Sequence, residues 1–336
     1  MSTPGTGIRT AAASSRPDQF LDLIAPKLLL VEEELRRHFA SPVRTVRDVG
    51  DHILAGGGKR LRPALLLLTS QMVGYEGELD VRYAAVVEMI HTASLVHDDI
   101  IDDADVRRGK TSINYRWGNH LTVLVGDYLY IRALDTALDG RSIEVLKTLS
   151  TATIRMTEGE ILALEQGGRA DLSREDYFDV IERKTAALFG ATCRIAGYLV
   201  DHPAGDLLFD YGRDLGICFQ LIDDVLDYTS STEVLGKPVL SDLREGKITL
   251  PLILARSRAT DAERRLIDRV VSEKDLGGTD PQELLAIASR YDAIDDAREI
   301  AREYAEAARR ALAPFPSSRA QQALEFALDF VMARER

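Results

Sequence analysis

Two short runs of acids carry the chemistry this sequence can do. The first is Asp98-Asp99-Ile100-Ile101-Asp102, with Asp103 and Asp105 behind it and then Arg107-Arg108-Gly109. The second is Asp223-Asp224-Val225-Leu226-Asp227. Each closes a strongly apolar stretch, and in each the outer acids are four residues apart. On a helix that spacing stacks both carboxylates on one face. Carboxylates so close repel, so one must take a proton or a cation must lie between them. Oxygen-only ligands suit hard ions such as Mg²⁺, which keeps several waters and shares substrate phosphates. One acidic cluster is as readily a solvated helix end, but two copies of the same pattern are not a chance event. EF-hand spacing does not fit, because alternating acids around a loop glycine are missing.

Separate cations complement the acids. Gly56-Gly57-Gly58 precedes Lys59-Arg60-Leu61-Arg62-Pro63. The glycines let the backbone approach a ligand, and Pro63 opens an apolar helix, Ala64 to Met72, whose N-terminus would welcome an anion. This is not a Walker loop, because no Ser or Thr follows the Lys in a strand-loop-helix setting. His91 lies two helical turns before Asp98, where it is either a core histidine or a substrate contact. Lys184-Thr185 interrupts an apolar helix, which points to a buried anion. Lys237 and Lys247 follow the second acid run in loop-like sequence. Acids plus separated cations around apolar walls predict a metal-bridged, greasy diphosphate whose C–O bond ionises.

The elements that must position these groups read as helical. Apolar residues recur at three and four, and no proline occurs between Pro63 and Pro203, so an all-α domain is expected. Helices are expected at Val46–Leu54, Val81–Val96, Leu121–Leu138 and Ile143–Leu164, then from the Ser173 cap through Lys184 to Leu199, and at Leu207–Leu226. Asn114 to Asn119 reads as a turn. From Asp261 the chain reads as amphipathic helix serving packing and solvation, without chemistry. Residues 1–17 are expected as a disordered tail and residues 18–336 as one domain. The net charge of −12 excludes a general nucleic-acid binder. No apolar run reaches membrane-span length. Two cysteines, Cys193 and Cys218, in apolar surroundings point to a reducing, cytoplasmic setting.

From Gly57 to Pro251 the motifs resemble those of all-trans polyprenyl diphosphate synthases, in the isoprenyl diphosphate synthase family. The matching stretches are residues 57–63, Glu88 to Asp102, Arg107-Arg108-Gly109, Gly126-Asp127-Tyr128, Lys184-Thr185, Phe219 to Asp227 and Gly236-Lys237-Pro238. The resemblance implies an all-helical isoprenoid synthase fold around a deep cavity, a homodimer and three Mg²⁺ ions. Asp98 and Asp102, with Asp99 between them, resemble ligands of two ions. Asp223, with Asp224 and Asp227 near, resembles the ligand set of the third. Arg107, Lys184, Lys237 and Lys247 would hold an allylic diphosphate such as farnesyl or geranylgeranyl diphosphate. Lys59, Arg62, His91 and Arg108 would hold isopentenyl diphosphate. Thr185 and Gln220 would lie along the developing cation.

Product length has a physical reading. Ser94 is one turn before Asp98 and Ala93 is beside it; both are small and expected to face the cavity floor. Ile90 and Val87 would lie further down, each a turn of about 5.4 Å deeper. No aromatic blocks the growing tail, so a heptaprenyl-to-decaprenyl product is expected over geranylgeranyl, as for quinone side chains. Release of so greasy a product would suit loose membrane association. A terpene cyclase usually lacks the second acid run, and a non-catalytic partner subunit usually loses one; both are intact here.

Overall fold

In the computed structural model, residues 22–107, 109–229 and 240–334 are described. Arg108, the Gly236-Lys237-Pro238 segment and the expected N-terminal tail lie outside them.

The chain enters through α1 (Ala25–His38) and α2 (Arg44–Ala55) and reaches α3 (Leu61–Met72) from Arg60, whose φ is +47°. A non-glycine residue in the left-handed region needs support. Arg60 has it, pairing with Glu32 at 2.5 Å and Glu88 at 2.8 Å. Of the three neighbouring cations, Arg60 is therefore engaged by the fold. α3 begins at Leu61 rather than Ala64, with Pro63 still in the first turn, where its missing N–H costs nothing.

Next come α4 (Leu79–Ile101) and a hairpin of β1 (Val106–Arg107) with β2 (Lys110–Thr111). Strands of two residues are too short to leave an alternation in the sequence, so none was expected. The expected turn at Asn114 is instead a short helix, α5 (Ile113–Trp117), ended by Gly118 at φ +80°. α6 (Asn119–Leu138) and α7 (Ile143–Gln166) follow. Ser173 and Asp176 form a reciprocal capping box that starts α8 (Arg174–Ile181). The chain then runs through a π-helical turn, Glu182–Ala186, into α9 (Ala187–Tyr198). α10 (Gly205–Thr229) ends in the second acid run. The remainder is α11 (Ser241–Arg244), α12 (Leu250–Arg258), α13 (Asp261–Glu273), α14 (Pro281–Arg290), α15 (Ala293–Leu312) and α16 (Arg319–Met332).

α4 packs on α1, α3 and α6, and α10 packs on α9 and α15. The α9–α10 approach is close because α10 offers glycine: a Cβ at Gly212 would lie 2.3 Å from the Phe189 carbonyl oxygen. α16 returns to pack on α3. One buried apolar cluster extends from Ile24 to Val331, so the described residues share a single core. Among the described residues no helix is long and apolar enough to cross a membrane.

Candidate active site

α3, α4, α7, α9 and α10 surround a cavity of about 880 Å³. α4 contributes His91, Ser94, Leu95 and Asp98, which recur at three and four along one face. Lys59 and Arg62 enter from the start of α3, Arg107 from β1, Lys184 and Thr185 from the π turn, and Gln220 and Asp223 from α10. Tyr130, Met156, Phe189 and Phe219 supply apolar wall. Ten of the residues expected from the sequence thus line one space: Lys59, Arg62, His91, Ser94, Asp98, Arg107, Lys184, Thr185, Gln220 and Asp223.

Each acid run divides by role. Asp98 faces the cavity, and its carboxyl is pushed up to about 6, chiefly by burial, with Glu160 and Asp102 adding and Lys184 opposing. Asp102 caps the end of α4 and accepts from Lys247 at 3.0 Å. Lys247 lies beside a smaller cavity behind α10. Asp223 faces the cavity and accepts from Arg334 at 3.2 Å. The acids between and after are turned inward. Asp99 is buried against Arg107. Asp224 accepts from Tyr177 at 2.5 Å and from Gln220 at 2.8 Å. Asp227 accepts from the Ser241 hydroxyl at 2.9 Å and the Ser241 N–H at 3.2 Å, tying α10 to α11. A one-residue step around a helix is about 100°, so Asp99 and Asp224 cannot share a face with Asp98 and Asp223; Asp227, four residues after Asp223, is instead drawn away by its bonds from Ser241.

The same rotation separates Ala93 from Ser94. Ser94 lines the cavity, but Ala93, Ile90 and Val87 are at most 1% exposed and sit in the core. Ile90 and Val87, four and seven residues before Ser94, share its side of α4 and are buried further along it.

Among the described residues, no three acidic, cysteine or histidine side chains converge as a ready-made metal cage. The acids at and beside the cavity mouth, Asp98, Asp102 and Asp223, offer carboxylate oxygen only. That donor set fits hard divalent ions completed by water and substrate phosphate rather than enclosed by protein.

The π turn is a feature sequence reasoning missed. It lies against Gly159 of α7, where a Cβ would be 2.5 Å from the Lys184 backbone nitrogen. Single π turns often occur at functional sites because the extra residue re-aims side chains. Here it carries Lys184, paired with Glu160, and Thr185, whose hydroxyl donates to the Gln220 carbonyl oxygen at 2.9 Å. A helical glycine facing a neighbour was the one available sign.

Arg334 was also missed. Beyond α16, it reaches the cavity with its guanidinium 4.7 Å over the Phe219 ring. Arg62 lies similarly, 4.3 Å over Phe189. Both use aromatic faces to hold a cation beside an apolar wall. Lys59 is the third cation of this group; its ammonium is pulled down by burial and then by Arg334.

Residues 43–287 match the polyprenyl synthetase family. The octaprenyl diphosphate synthase of Escherichia coli (strain K12) is 38% identical over 319 residues, covering 94% of this chain and 98% of that one. A polyprenyl synthase from Caulobacter crescentus CB15, solved as a complex with calcium and isoprenyl diphosphate, superposes with a TM-score of 0.91 at 35% identity, covering 96% of this chain and 99% of that one. A decaprenyl diphosphate synthase from Rhodobacter capsulatus superposes with a TM-score of 0.90 at 36% identity, covering 96% and 100%.

Proposed function

The chain belongs to the polyprenyl synthetase family, and on that premise we propose that it is a long-chain trans-polyprenyl diphosphate synthase. It is a prenyltransferase that adds isopentenyl diphosphate head-to-tail onto an allylic diphosphate such as farnesyl or geranylgeranyl diphosphate. The observation that carries this reading is one cavity in which two opposed acids, Asp98 and Asp223, meet two groups of cations across apolar walls.

Arg107 and Lys184, with Lys247 at the edge and Lys237 outside the described residues, hold the allylic diphosphate. Lys59, Arg62 and His91, with Arg108 outside the described residues, hold isopentenyl diphosphate. Asp98, Asp102 and Asp223 would hold Mg²⁺, three ions in all, which neutralises the leaving diphosphate. Asp99, Asp224 and Asp227 are engaged by protein donors and support the others. The allylic C–O bond ionises, the isopentenyl double bond attacks, and a proton passes to the released diphosphate. Thr185 and Gln220 place oxygen along the cation.

Ser94 leaves the wall below Asp98 open, and the octaprenyl and decaprenyl synthases among the relatives support a heptaprenyl-to-decaprenyl product. A quinone side chain is its expected destination, and loose membrane association would help release it. Leu124, Ile131 and Leu138, spaced by seven on the outer face of α6, are each more than half exposed and support a homodimer. A solution mass of one chain would remove that inference. Two buried free thiols support a cytoplasmic setting. The test is incorporation of labelled isopentenyl diphosphate by the purified protein. It should require both an allylic primer and Mg²⁺, and no incorporation under those conditions would refute the reading.

A further inference from the structure

We propose that Asp224 and Tyr177 are positioning residues that lock the Gln220 amide with its oxygen toward Thr185 and the reacting chain. The inference rests on the functional reading above and concerns what makes Gln220 useful in it.

A glutamine amide has nearly the same shape in either orientation, but the two ends are chemically opposite. An oxygen beside a developing carbocation stabilises it, and an NH₂ group does not. Something must therefore choose. Gln220 and Asp224 are one turn apart on α10, and Asp224 is 4% exposed. Its Oδ1 accepts from Gln220 Nε2 at 2.8 Å and its Oδ2 accepts from the Tyr177 hydroxyl at 2.5 Å. Both carboxyl oxygens of Asp224 are thus used as acceptors, and the amide nitrogen is the end of Gln220 that faces it. The amide oxygen is thereby turned to Thr185, whose hydroxyl donates to it at 2.9 Å. With that proton engaged, the Thr185 oxygen keeps its lone pairs for the cavity.

The far end of the relay is set by Tyr177 on α8. Burial and then Asp224 push its phenol well above the usual range, so it remains a donor. Burial and then the nearby Asp242 carboxylate push the Asp224 carboxyl up, while the hydrogen bonds from Tyr177 and Gln220 act the other way. Thr185 and Gln220 line both the large cavity and a smaller one of about 190 Å³ behind it, whereas Asp224 and Tyr177 line only the smaller. The relay is the partition between them.

The test compares Asp224→Asn, Tyr177→Phe and the double variant Gln220→Glu/Asp224→Asn with the parent, using farnesyl diphosphate, isopentenyl diphosphate and Mg²⁺. In Asp224→Asn an amide NH₂ can face Gln220 and turn its oxygen away from Thr185. The expectation is a fall in kcat of about a hundredfold, with both KM values and the half-saturating Mg²⁺ concentration unchanged. Tyr177→Phe should fall in the same manner by about tenfold. The double variant should recover most of kcat, because the new carboxylate accepts from both the asparagine amide and Thr185. A raised Mg²⁺ requirement with preserved kcat in Asp224→Asn would make Asp224 a metal ligand and overturn the lock. A double variant no better than Asp224→Asn would overturn it too. An inactive parent would defeat the functional reading, and the lock is then read by NMR. The Gln220 side-chain NH₂ should exchange slowly with solvent in the parent and faster in Asp224→Asn; fast exchange in the parent would sink the lock.

Discussion

Arg334 hydrogen-bonds Asp223 at 3.2 Å across 111 residues of sequence. The pair joins the end of the chain to the second acid run. The Arg334 side chain is 12% exposed, and a cation that deep needs a partner. Asp223 and the Phe219 ring provide one on the cavity wall, beside Lys59. Arg334→Gln should therefore raise the KM for isopentenyl diphosphate by about tenfold, the scale of one charge-assisted hydrogen bond, and change the allylic KM less. Steady-state kinetics with each substrate varied checks this; equal effects on both would place Arg334 elsewhere.

Ser94 and Ala93 are neighbours with opposite surroundings, one on the cavity and one in the core. Ser94→Phe should shorten the product while leaving the fold intact. Ala93→Phe should instead overpack the core and lower stability by about 1–3 kcal/mol. Product chromatography and urea melts separate the two. An unchanged product from Ser94→Phe would discard the tail path.

Gly159 sets the π turn by letting α7 approach the Lys184 backbone. The group it would crowd is backbone, which cannot swing aside. Gly159→Ala should raise the KM for the allylic diphosphate by about tenfold and cost about 1–3 kcal/mol in stability. Parent-like kinetics would show that the turn does not depend on that glycine.

Glu263 couples the α13 cap to Arg290 and Tyr291. Its carboxyl is held down to about 2 from 4.5, first by the Thr260 hydroxyl, then by Tyr291 and the Thr260 N–H. A carboxyl lowered in the folded state adds stability above its unfolded value, and that gain is lost as pH falls from 4.5 toward 2. The urea midpoint of the parent should exceed that of Glu263→Gln near neutrality, with the gap closing as the pH falls to about 3. A constant gap would contradict it.

The paired acid runs were legible because their chemistry is local: an i, i+4 spacing at the end of an apolar helix. Lys184 was legible for a related reason, as a charge in apolar surroundings. Which acid of each run faces the cavity was not, because adjacent residues differ by about 100° and only packing fixes the rotation. Ala93 was misplaced on the same account. The π turn left no mark in composition. Arg334 fell in the stretch from Asp261 that reads as packing and solvation, since its place depends on α16 returning to α3. The all-helical class was readable from periodicity, whereas the hairpin at Val106 was too short to be.

The most direct test is the size of the product made by the purified protein from farnesyl diphosphate, excess isopentenyl diphosphate and Mg²⁺. A heptaprenyl-to-decaprenyl diphosphate is the predicted result. A product that stops at geranylgeranyl diphosphate, or no elongation at all, would contradict it.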